Sequence, residues 1–132
     1  DRSVSRGLGD VYKRQKKTFI VTKGIDQCAW IYPRSEWEII QKELKDLSSL
    51  SKTNRIFLRN HLRHASIIKF DNQGRFVLPQ SLIDYSTIKK DVTIIGVLNK
   101  IEIWNPHLLK KVDQSDEIDD QSYEQLSERV NI

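Results

Sequence analysis

The sequence predicts an α+β fold, and three observations predict it. Apolar, β-branched runs recur in pairs around polar or Gly-containing turns, as strands joined in hairpins do. Between the pairs lie stretches whose apolar residues recur at helical spacing. Sliding the chain on itself by 73 positions also lays residues 17–33 (KTFIVTKGIDQCAWIYP) on residues 90–106 (KDVTIIGVLNKIEIWNP). Identity is low but the pattern agrees: strand, turn (Ile25-Asp26 on Leu98-Asn99), strand, aromatic, then Pro into a helix. Such self-similarity means two copies of one supersecondary unit packed as a pseudo-symmetric pair.

Residues 1–15 (DRSVSRGLGDVYKRQ) show neither strand nor helix period, differ in composition from the rest of the chain, and are read as non-native. Thr18-Phe19-Ile20-Val21-Thr22 reads as a strand, Lys23 to Gln27 as a turn, and Cys28-Ala29-Trp30-Ile31-Tyr32 as the returning strand, closed by Pro33. Ser35 with Glu38 three residues on has capping-box spacing, and Trp37, Ile40, Leu44 and Leu47 follow as one apolar stripe. A second helix is expected from Ser51 or Thr53 to about Leu62, burying Ile56, Phe57, Leu58 and Leu62. Arg55, Arg59 and Arg63 recur at i, i+4, i+8 as a basic row, either near phosphates or a solvated face, the second being the ordinary case.

The centre of the chain is Ile67-Ile68-Lys69-Phe70, then Asp71-Asn72-Gln73-Gly74-Arg75, then Phe76-Val77-Leu78. Apolar arms about a polar loop ending in Gly predict a β-hairpin, with Gly74 supplying a positive φ. Arg75 then stands at the hairpin mouth, which makes this a candidate nucleic-acid-facing element. Ser81 to Ser86 reads as a helical turn at best, Val92 to Leu98 as a strand, Asn99-Lys100 as a turn and Ile101 to Trp104 as a half-buried strand. Asn105 caps a helix with Pro106 at its first position. From Asp113 the chain is acidic and Ser/Gln-rich, and is expected to be disordered.

Charge is distributed unevenly. The net charge is +4, but residues 113–132 hold seven acids against one base, leaving 21 basic and 11 acidic residues in 1–112. A basic body with an acidic tail suits a polyanionic partner as well as simple solubility. No apolar run approaches the roughly 18 residues of a membrane span, and no secretory signal is visible, so no membrane partner is expected. Cys28 stands alone, which excludes an intrachain disulfide and a thiol-rich metal site and points to the cytoplasm. His61 and His64 lie three apart without a thiol or carboxylate motif, Glu36 and Glu38 read as helix-start charges, and no catalytic or nucleotide-binding motif appears. Neither a cofactor nor an enzymatic activity is expected. Trp30, Trp37 and Trp104 occupy core-pattern positions and read as packing.

Phe70-Asp71-Asn72-Gln73-Gly74-Arg75-Phe76-Val77-Leu78-Pro79 and Ile95-Gly96-Val97-Leu98-Asn99-Lys100-Ile101-Glu102-Ile103-Trp104 resemble the second half of the bacterial MraZ transcriptional regulators. Thr22 to Cys28 with Tyr32, Pro33 and Trp37 resembles a remnant of the first half, so that the resemblance spans about 16–112. It implies a SpoVT/AbrB-like swapped-hairpin β-barrel with flanking helices, its second copy complete and its first truncated. The division is then 1–15 non-native, 16–63 first-copy remnant with two helices, 64–112 second copy and 113–132 tail. The first-copy hairpin would fall near residues 1–5, where no such turn is seen.

The resemblance further implies a cytoplasmic, nucleoid-associated DNA-binding regulator. It would assemble into ring-like homo-oligomers on promoter direct repeats upstream of division and cell-wall genes, with both properties reduced when one hairpin is missing. Its DNA-facing hairpin carries over to Asp71, Asn72, Gln73, Gly74 and Arg75. From the residues themselves, Arg75 either clamps a phosphate or a guanine edge or pairs with Asp71 to staple its own loop. Asn72 and Gln73 could meet bases or phosphates or serve only the turn, and Lys69 suits a phosphate better than a base. The rival reading is a protein-interaction or oligomerisation module, such as the antidote half of a toxin pair on the same fold.

Overall fold

The computed structural model describes residues 18–115 and 117–131. The expectations for residues 1–15, including the first-copy hairpin, lie outside the described residues. β1 (Phe19–Lys23) and β2 (Ala29–Pro33) pair antiparallel from Phe19↔Pro33 to Lys23↔Ala29. Their turn is cinched by Gly24 N–H donating to Cys28 O at 2.8 Å. A Cβ on Gly24 would lie 2.8 Å from Cys28 O, 2.9 Å from Cys28 Sγ and 3.0 Å from Trp30 Nε1, so only hydrogen fits there.

α1 (Arg34–Lys45) follows Pro33 directly, two residues earlier than a cap at Ser35 would place it. The capping box at Ser35 does not form. Ser35 lies inside the helix, Arg34 N–H bonds Thr18 O at 2.8 Å, and Glu38 faces Arg34 at 3.4 Å. α2 (Lys52–Arg63) is capped by Ser51, whose Oγ accepts from Asn54 N–H. Its buried side is not the expected one. His61 is buried while Ile56, Phe57 and Leu62 are exposed. The imidazole stacks on Phe57 and Trp37 and meets Trp30 edge-on, and Thr22 Oγ1 donates to His61 O at 2.9 Å. Arg55 Nη1 donates to Ser49 O and Leu50 O, holding the α1–α2 connection.

β3 (Ser66–Ile68) pairs with β1, not with the arm beyond the 71–75 loop. That arm runs to Pro79 without strand pairing, Phe76 and Leu78 buried and Val77 exposed, and leads into α3 (Gln80–Ser86). The expected two-stranded ladder is thus confined to the loop closure. β4 (Thr93–Val97) and β5 (Lys100–Trp104) form the last hairpin, Val97 opposite Lys100, so Leu98-Asn99 is the turn and Lys100 belongs to the strand. Leu98 sits there fully exposed at φ 53°, a left-handed conformation uncommon for a branched residue. Asn105 caps α4 (Pro106–Ser115) as expected, its Oδ1 accepting from His107 and Leu108 N–H. The segment expected to be disordered carries a helix instead, α5 (Asp120–Arg129), capped by Asp119 through a 2.6 Å bond from Ser122 N–H.

The strands form one antiparallel sheet in the order β3-β1-β2-β5-β4. Period-2 alternation sends Phe19, Val21, Ile31 and Ile103 to one face, under Phe76, Leu78 and α3. Ile20, Trp30, Tyr32 and Trp104 go to the other, against Trp37 of α1 and the half-buried leucines of α4. The halves meet at β2–β5, where Trp30 stands opposite Glu102. Glu102 Oε2 accepts from Trp30 Nε1 and Oε1 from Trp104 Nε1, both at 3.0 Å, and Lys100 Nζ lies 4.5 Å from the centre of the Trp30 ring. All three tryptophans are buried, as their positions in the pattern indicated.

Glu102→Ala leaves two indole donors without an acceptor and should cost about 2 kcal/mol or more in urea unfolding, Glu102→Gln less because one acceptor remains. Gly24→Ala should destabilise by about 1–3 kcal/mol, read as a lower denaturation midpoint. Burial holds the His61 pKa below its usual value. In the window between the two values the unfolded chain binds more protons, so stability should fall as pH drops below about 6.5. His61→Phe, which keeps the stack, should flatten that acid limb in melts across pH, and an unchanged limb would refute the assignment.

Candidate nucleic-acid interface

The loop between β3 and the outgoing arm is closed by its own atoms. Asp71 N–H donates to Arg75 O at 2.8 Å and Gly74 N–H to Asp71 O at 3.1 Å. Asp71 Oδ1 accepts from the N–H groups of Gln73 and Arg75, each at 2.9 Å, and Oδ2 accepts from Arg75 Nε at 2.9 Å. One carboxylate therefore organises the whole turn, as Asp does when it mimics a backbone acceptor. Gly74 has the positive φ expected of it, 76°, and is buried, so the loop folds over its only residue lacking a side chain. At the base, Phe70 packs edge-on against Phe76 (5.2 Å between ring centres) and Phe19 (5.8 Å), fixing the loop to the sheet.

Asp71, Asn72, Gln73 and Arg75 all lie at the surface. Lys69, also exposed, lines an open groove beside the loop with Asp71, Arg75 and the exposed apolar side chains of Ile67 and Val77. The Arg75 side chain is 51% exposed, and its Nη groups make no hydrogen bond among the described residues, since Asp71 takes Nε alone. The guanidinium is thus stapled to Asp71 through Nε while about half of the side chain stays exposed, so pairing with Asp71 does not use up its Nη groups. The carboxyl of Asp71 is held below its ordinary pKa, chiefly by the Arg75 N–H; desolvation, next in size, opposes this, and the Arg75 guanidinium and the Gln73 N–H add to the lowering. It is therefore ionised throughout the neutral range.

The sequence located these residues but did not assign Asp71 its part as the hub. A signal was present, since Asp with Gly three residues on and Arg four on is the spacing of a side-chain-closed turn. The basic row of α2 is not part of this site. It lies on a helix packed against the opposite, tryptophan-lined face of the sheet. Among the described residues no cluster of His, Cys, Asp and Glu suits a metal ion.

The family model described as "MraZ protein, putative antitoxin-like" matches residues 13–60 and again 61–131. The chain is similar to a protein of Clostridium tetani, 40% identical over 115 residues that cover 87% of this chain and 78% of the relative. A protein of Natranaerobius thermophilus is 36% identical over 125 residues, covering 95% and 80%. One of Clostridium botulinum is 39% identical over 113 residues, covering 86% and 77%. All three bear the name Transcriptional regulator MraZ. With two family matches together spanning most of its length, and relatives aligned across it, the chain belongs to the MraZ family.

Proposed function

We propose that this chain is a sequence-specific DNA-binding transcriptional regulator, and that the 71–75 loop is the element that meets DNA. The observation that carries the reading is the half-engaged guanidinium of Arg75, held through Nε by Asp71 with its Nη groups not used up. A planar fork fixed in this way suits a phosphate or the O6/N7 edge of guanine. In this reading Arg75 makes the direct contact, Lys69 adds a phosphate contact from the groove beside it, and the exposed Asn72 and Gln73 meet base edges or phosphates. Asp71 and Gly74 position the loop. The surplus of basic residues in 1–112 supplies long-range attraction. Support also comes from the relatives, which are named as transcriptional regulators. Among the described residues no helix is long and apolar enough to cross a membrane.

On the family resemblance, the operators would be direct repeats at division and cell-wall promoters, occupied by ring-like assemblies in the nucleoid. The outgoing arm supports the swapped-hairpin part of this reading. Phe76 to Leu78 alternates like a strand yet has no ladder partner among the described residues, so a further strand could complete it.

Binding to a fragment carrying the chain's own promoter region should weaken steeply with salt. Arg75→Ala should reduce specific affinity by about 1–3 kcal/mol per engaged loop, and Arg75→Lys should not restore it, lacking the fork. Asp71→Ala should lower the ratio of specific to non-specific binding while leaving non-specific affinity equal or higher, because a negative charge is removed. Fluorescence anisotropy across a salt series measures all three. Unchanged affinity and salt dependence for Arg75→Ala would overturn the assignment.

A further inference from the structure

His61 is the buried side chain of α2, 7% exposed, and rings cover its faces. Its edge is not accounted for. Neither ring nitrogen makes a hydrogen bond among the described residues, and neither is sealed from solvent, since Ser86 Oγ alone is both shut off and without a partner there. Burial keeps the imidazole neutral at pH 7, with one nitrogen a donor and the other an acceptor. A buried polar edge left unmet costs about 1–3 kcal/mol, so whatever enters beside it is favoured for making that bond.

The ring lines a cleft of about 220 Å³ between α2, the β1–β2 turn and α3. Phe57, Ile25 and Tyr85 supply apolar walls, and Asn60 and Lys23 supply polar ones. The Tyr85 hydroxyl donates to Gly24 O and Asp26 O, each at 3.2 Å, so the ring is what this residue offers to the cleft. Lys23 Nζ lies 4.4 Å from the centre of that ring. It forms no ion pair among the described residues, and no acid lines the cleft. Arg63 adds to the positive field on this side, because His64 has its pKa lowered by burial and then by both Lys23 and Arg63.

These features select a ligand by size and charge. The volume falls below the roughly 300–1,000 Å³ of sites for drug-sized molecules, which leaves room for one ring system and little more. Aromatic walls suit a flat ring. A lysine without a facing acid suits an anion, and the N–H groups of Asn60 and His61 suit oxygen acceptors. We propose that this cleft binds a small aromatic carboxylate, its ring against Phe57 and Tyr85 and its oxygens held by Lys23, Asn60 and His61. The cleft shares no lining residue with the groove beside the 71–75 loop, so the site stands whether or not that loop meets DNA. Its walls come from both halves of the chain, and an occupant would fasten α3 to the β1–β2 turn.

Amide NMR titration of the full chain with phenylacetate tests this, together with thermal melts. Saturable shifts should cluster at Lys23, Ile25, Phe57, Asn60 and Tyr85, and the melting temperature should rise with probe concentration. Phenylacetamide keeps the ring without the charge and acetate the charge without the ring, and each should bind about tenfold more weakly or worse. His61→Phe keeps the stack and removes the nitrogens, and Lys23→Gln removes the charge. Each should weaken phenylacetate binding about fivefold or more. Lys110→Gln, exposed on α4, should leave it unchanged. Near-UV circular dichroism of the buried tryptophans checks that each variant keeps its fold, and Asn60→Ala, at an exposed position, keeps the test decisive if His61→Phe does not. The proposal is overturned if millimolar phenylacetate gives no saturable shift, or shifts centred on the 71–75 loop. It is equally overturned if phenylacetamide binds as well, or if Lys23→Gln and Asn60→Ala bind like the parent.

Discussion

The fold depends on the β2–β5 seam. Among the described residues, Ala29↔Ile103, Trp30↔Glu102 and Ile31↔Ile101 are the strand pairs that join the two halves of the sheet, and without them β3-β1-β2 would part from β5-β4, leaving the latter a two-stranded ribbon of marginal stability. Because side chains alternate faces, a slip of one residue at the seam would turn Ile31 and Ile103 out of one core and Trp30 and Trp104 out of the other. Glu102 opposes such a slip. Its two oxygens take the indole of the residue directly opposite and the indole two residues along its own strand, which fits one register. Lys100 over the Trp30 ring keeps a positive charge beside that carboxylate.

The sequence was legible wherever a local rule decides the outcome. Alternation fixed β1, β2 and β5, Asn105 capped the helix it was expected to cap, the second helix began just after Ser51, one of its two expected starts, and Gly74 took its positive φ. Misreadings arose where a distant partner competed with a local one. Ser35 and Glu38 have capping-box spacing, but the strand runs through Pro33 straight into the helix and ties Arg34 N–H to Thr18 O, leaving Ser35 inside. Glu38 is left to face Arg34. In α2 three consecutive apolar residues suggested the buried side, yet a histidine faces the core, because Trp30, Trp37 and Phe57 form a cage suited to a flat ring. The acidic segment formed a helix because Asp119 supplies a cap that composition alone does not reveal.

The candidate loop was legible as a Gly-containing turn and not in its wiring. Apolar arms on either side of a Gly-containing loop give the same pattern whether they pair with each other or diverge. Here they diverge. β3 joins β1, and the outgoing arm lays Phe76 and Leu78 across the sheet instead of along its edge. Only the bonds between Asp71 and Arg75 keep the hairpin character, so loop conformation rests on that carboxylate and on the aromatic contacts beneath it.

That wiring bears on how a polyanion would be met. With Asp71 ionised beside it, Arg75 brings no net charge to the loop, so the pair adds little to long-range attraction. Attraction falls to the basic body, whose charges act at a distance and without regard to sequence. What the stapled guanidinium offers is direction. Fixing Nε removes much of the side-chain freedom that a contact would otherwise have to freeze, and it leaves the Nη groups as the part able to discriminate one acceptor geometry from another. On the proposed reading, affinity and selectivity would fall to different parts of the chain, and the carboxylate that lowers the first would be the group that makes the second possible.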